Sequence, residues 1–94
     1  RGAMRLIDPE RELREAQAAF ELSPSAQNQW RLAQALLTRG EGRAANRHFD
    51  ALLQGPLGHQ PELRLSAAQA RLDSGEAAGA LSLVQSLRAE EPDF

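Results

Sequence analysis

The chain has 94 residues, 13 acidic and 11 basic, for a net charge of −2. That length holds one domain at most, which buries on the order of 60–65% of its unfolded surface. The balanced charge has no basic stripe, which argues against nucleic acid as a partner, the lack of cysteine excludes disulfides and thiolate zinc sites, and no apolar run approaches the roughly 20 residues of a membrane span.

Alanine and leucine supply most of the apolar residues, and β-branched residues are few (Ile7, Thr38, Val84). That mix favours helix over strand. Every basic residue is arginine. With the many alanines this suggests a GC-rich bacterial source. The start, RGAMRLIDPERELRE, has no apolar core and no small-residue cleavage site, so no signal peptide is expected in it. Gly2-Ala3-Met4 reads as residue from an expression vector.

Five helices are predicted. The first runs from Pro9 to Leu22, capped by Asp8, with Leu13, Ala16 and Phe20 on its apolar stripe. Ser23-Pro24-Ser25 ends it and caps the second, Ala26 to Arg39, whose apolar residues are Leu32, Ala33, Leu36 and Leu37. Gly40 stops that helix. The third, Gly42 to Gln54, turns Ala45, Phe49, Leu52 and Leu53 to one side, although Gly42 weakens it. Gly55 to Gln60 is a breaker-rich loop. Pro61 opens the fourth helix, with Leu65, Ala68 and Leu72 as its stripe and Ser74-Gly75 at its end. The fifth runs from Glu76 to Glu90 with Ala80, Leu81, Val84 and Leu87 apolar, and Glu90-Glu91-Pro92 ends it.

The second half of this pattern repeats the first. Gly40-Glu41 and Gly75-Glu76 lie 35 residues apart. In the same register Ala33 matches Ala68, Ala35 matches Ala70, Leu37 matches Leu72, Ala45 matches Ala80, Phe49 matches Val84, and Leu52 matches Leu87. A period near 34 residues marks a helical repeat array, in which each helix pair buries its face on its neighbours.

These residues resemble tetratricopeptide repeats, whose pattern runs W-x2-L-G-x2-Y, then A-x3-F, then proline. Leu32-Ala33, Leu36, Gly40 and Ala45-x3-Phe49 fill it in one unit, and Ala67-Ala68, Arg71, Gly75, Ala80-x3-Val84 and Pro92 in the next. Trp30 stands one residue past the family tryptophan, where Gln29 lies, and Arg71 replaces an aromatic. Pro24 falls on the closing proline of a preceding unit. The resemblance therefore implies one all-α domain over residues 1–94, a tetratricopeptide-like α-solenoid of about five antiparallel helices. It would comprise a half repeat over 9–24 and full helix-turn-helix repeats over 26–57 and 61–92, as a fragment of a longer array.

In the family, the first helix of each pair lines a concave groove that holds peptides. Carried over, the groove candidates are Gln27, Trp30, Arg31, Gln34, Leu37 and Thr38, then Glu62, Leu65, Ser66, Gln69, Leu72 and Asp73. Trp30 has a structural alternative, packing against Phe20. The implied function is a protein–protein interaction scaffold that binds a peptide or helix of a partner, or assembles a larger bacterial complex. The style is similar to arrays in polysaccharide export, pilus assembly and secretion proteins. The alternative is a structural or dimerisation module within a larger protein. One sub-family clamps C-terminal carboxylates with basic residues; Trp30 and Leu65 stand where those are needed, so that activity is not expected.

No enzyme activity, cofactor or metal is expected. No titratable pair forms a recognisable catalytic arrangement, and His48 and His59 lack further ligands at helical spacing, so both are expected to be solvated. Glu90, Glu91 and Asp93 are expected to form a solvated end. Leu81, Leu83, Val84 and Leu87 spread over a wide arc of the last helix, which leaves some free for a homodimer or partner contact.

Overall fold

Five helices run through residues 8–90, the part of the chain that this computed structural model describes, the side chain of Glu90 excepted. The expectations placed on Gly2-Ala3-Met4, Glu91, Pro92 and Asp93 lie outside it. Helix α1 spans Pro9–Leu22, α2 Ala26–Thr38, α3 Gly42–Leu53, α4 Pro61–Asp73 and α5 Ala77–Glu90. No strand occurs among the described residues.

Local signals start and stop these helices. The Asp8 side chain accepts from the Glu10 backbone N–H at 3.1 Å, and Pro9 needs no partner in the first turn. Ser25 does the same for α2, accepting from the Asn28 N–H at 3.1 Å. Asn28 in turn donates its amide to the carbonyls of Ala19 and Ser23, which ties the turn between α1 and α2. Gly40 and Gly75 adopt φ of 88° and 86°, a region that a side chain disfavours.

The two glycine turns are the same motif made twice. The Gly40 N–H bonds to Leu37 O and the Glu41 N–H reaches back to Leu36 O. The Gly75 N–H bonds to Leu72 O and the Glu76 N–H to Arg71 O. Each pair of bonds is a Schellman cap, which satisfies helix-end carbonyls before the chain reverses. The period seen in the sequence is thus a period in hydrogen bonding.

Each helix packs on the next in chain order, as adjacent members of a helical repeat do. The backbone of α2 also comes close to that of α4, whereas α1 and α3, and α3 and α5, have no such backbone approach. The array therefore curls, with α2 and α4 on its inner side. Alanines sit at the crossings: Ala16, Ala33, Ala45, Ala67 and Ala70 are fully buried, and small side chains let backbones come close. Phe49, Leu36 and Leu52 fill the space beside them.

Helix α4 departs from its predicted stripe. Ala68 is buried as expected, but Leu65 and Leu72 are 41% and 52% exposed, and Leu63 is fully buried in their stead. Leu65 lies about 200° round the helix from Leu63. Because α2, α3 and α5 all touch α4, its inner arc runs through Leu63, Ala67 and Ala70 and leaves Leu65 and Leu72 outside.

Gly42 also has a different meaning from the one its helix propensity suggests. A Cβ there would lie 2.8 Å from Asp73 Cβ and 3.0 Å from Ala70 O. Its lack of a side chain lets the start of α3 press on the end of α4. Arg71 shows a related fit. Its guanidinium pairs with Asp50 of α3, and its stem lies 3.2 Å from where a Gly79 Cβ would stand. In the preceding unit the equivalent positions hold Leu36 and Ala44.

Candidate functional site

The inner side of α2 carries a concave pocket of about 570 Å³. Helix α2 supplies Gln27, Trp30, Arg31, Gln34, Ala35 and Thr38, and α1 supplies Pro9 and Glu12. Gln27, Arg31, Gln34 and Thr38 recur at spacings of four, three and four, which puts them on one helical stripe. Trp30 borders that stripe, half-buried and packed against the core on its inner edge.

Charged groups close the α1 side of the pocket. Arg31 Nε lies 2.9 Å from Glu12 Oε2, and a second guanidinium nitrogen donates to Glu12 Oε1 at 3.3 Å. Glu15 stands 3.7 Å from Arg31, and Arg39 pairs with both Glu10 and Glu41. The hydrogen bond from Arg31 holds the Glu12 carboxyl below its ordinary range. These pairs are exposed, so they orient α1 on α2 more than they stabilise it.

Of the groove candidates, the pocket gathers Gln27, Trp30, Arg31, Gln34 and Thr38. Leu37 is half-buried against the core instead. Glu62, Leu65, Gln69 and Asp73 are exposed on α4 outside this pocket, and Gln69 donates to Asp73 at 3.0 Å. Ser66 is half-buried and Leu72 exposed. Asp73 borders a second cleft of about 480 Å³ with Ser74, Arg43 and Arg47. Pro9, Glu12 and Ala35 were not read from the sequence as pocket residues. The one local signal for them is the acidic first turn of α1.

His48 is not the solvated side chain that the sequence suggested. It is half-buried, its Nδ1 lies 3.2 Å from Gln29 Nε2, and its ring meets Phe20 edge-on with centroids 6.0 Å apart. Phe20, the structural alternative named for Trp30, makes this ring contact and, like Trp30, packs against the core. Burial, and next the nearby Arg47 cation, push the His48 pKa below 6.5. The unfolded chain then binds more protons than the folded one as pH falls through that value. Stability is therefore expected to be level above about pH 6.5 and to decline below it. Urea denaturation of the native chain and of His48→Gln checks this: the decline between pH 6.5 and 5 should flatten in the variant. His59 is exposed, with an Arg64 nitrogen 3.4 Å from its Nδ1.

Among the described residues no three His, Cys, Asp or Glu side chains gather as a metal site, and no helix is long and apolar enough to cross a membrane. No family, curated protein or solved structure was found to match the chain.

Proposed function

We propose that this chain is a tetratricopeptide-like helical repeat that serves as a protein–protein interaction scaffold, holding a peptide of its partner against the inner side of α2. The observation that carries this reading is the Trp30 pocket, where an indole edge, two glutamine amides and a threonine hydroxyl converge on one concave surface. Partially exposed tryptophan in a pocket is a common anchor for protein contacts, and side-chain amides complement the free backbone groups of an extended peptide.

Trp30 is the only tryptophan and the chain has no tyrosine, so its emission reports on this pocket alone. The expected result is the emission of a partly exposed indole that shifts saturably with a subset of an N-acetylated, C-amidated pentapeptide library. Gln34→Ala should weaken that response. A fully blue-shifted emission that no library member alters would overturn the reading.

A second reading, self-association through α5, has its own observation. Ala77, Leu81, Val84 and Arg88 of α5 stand where α3 has Gly42, Asn46, Phe49 and Leu53. On α3 Gly42, Asn46 and Phe49 are buried, whereas Leu81 is 57% exposed. Self-association predicts a mass in light scattering that rises with concentration and is reduced by Leu81→Gln. A strict monomer at high concentration, with no binding of an apolar dye, would remove it.

A further inference from the structure

The Trp30 pocket has apolar walls in Trp30, Ala35 and Pro9, and among its described lining residues Arg31 is the one cation. That cation is already paired within the protein. Two of its nitrogens address the two oxygens of Glu12, at 2.9 and 3.3 Å, in a fork geometry that favours carboxylate. Glu15 adds a second carboxylate at 3.7 Å, so acidic groups outnumber the guanidinium. A pocket of about 570 Å³ is of a size that encloses a small apolar group, and its one lining cation already faces two carboxylates.

The amides add a second constraint. Gln27 and Gln34 stand seven residues apart on α2, or about 10.5 Å along the axis. That span equals roughly three residues of extended chain. Amides at this spacing find free backbone groups on an extended peptide. A helical partner satisfies its own backbone internally and offers them none along its length.

We infer that Glu12 is a specificity residue of this pocket: by occupying Arg31 it makes the pocket select an uncharged apolar side chain of an extended peptide and reject acidic neighbours. The inference rests on the peptide-binding reading above. Freed of Glu12, Arg31 becomes a carboxylate receptor at the pocket rim, and the preference inverts.

The test uses N-acetylated, C-amidated pentapeptides with a central leucine, flanked by glutamine, arginine or glutamate, read by Trp30 emission. The native chain is expected to bind the glutamine-flanked peptide roughly tenfold more tightly than the glutamate-flanked one. Glu12→Gln should raise affinity for the glutamate-flanked peptide roughly tenfold, in a manner that fades with added salt. Glu12→Gln with Arg31→Gln should lose that gain. Circular dichroism should show unchanged helix in both, since the pair lies at the surface. The inference is overturned if Glu12→Gln leaves the ratio of the two peptides unchanged while leucine peptides still bind. Should no peptide of the set bind either protein, the binding reading itself fails and this inference fails with it.

Discussion

Phe49→Ala is expected to destabilise the fold by about 3–5 kcal/mol, and urea denaturation followed by circular dichroism measures it. Phe49 is the largest fully buried side chain of the array. It sits on α3, which packs on both α2 and α4, so its ring supports two interfaces at once. Removing it loses the transfer energy of an aromatic side chain and leaves a cavity that three helices would have to close together. A chain of this size carries about 5–14 kcal/mol of total stability, so the variant should lose a large part of it. A loss below about 1 kcal/mol would show that α3 can shift to fill the gap, contrary to the packing described.

The second large effect comes from a pair of leucines two residues apart. Leu63→Ala is expected to cost about 2–5 kcal/mol, because Leu63 is fully buried. Leu65→Ala should stay within about 0.5 kcal/mol, because Leu65 is exposed. The same denaturation measurement on both variants checks the rotational setting of α4. Equal costs, or a larger cost at Leu65, would mean that α4 is turned as its sequence stripe suggested.

That contrast also shows what a sequence of this kind reveals. Helix ends were legible because their causes are local: Asp8 and Ser25 as caps, Pro9 and Pro61 in first turns, Gly40 and Gly75 at the reversals. The observed bounds differ from the expected ones by about one residue, which is the ordinary uncertainty of a fraying end. The face of α4 was not legible, because three neighbouring helices decide it and a period of 3.6 residues marks only one stripe. Leu63 belongs to an arc completed by alanines, whose small size hides it in a count of large apolar residues.

The pocket divides in the same way. The Gln27, Trp30, Arg31, Gln34 and Thr38 cluster was implied by the family resemblance and lies on a single helix. Glu12 joins it across 19 residues, and only the angle between α1 and α2 brings them together. His48 was misjudged for a similar reason. Its burial is created by Phe20 and Gln29 from two other helices, and nothing beside it in the chain announces them. Gly42 reads as a weak helix residue until Asp73 and Ala70 are placed against it.

The exchange of Leu36 and Ala44 for Arg71 and Gly79 has a consequence for how such a chain can grow or be rebuilt. Bulk added at one member of the couple is matched by bulk removed at the other, across the boundary between two helices of one hairpin. Copying a single helix into the other unit would separate the members and leave either a void or a collision. The two helices of a hairpin are therefore matched to each other, and the fit of Gly42 against Asp73 and Ala70 adds a match between one hairpin and the next.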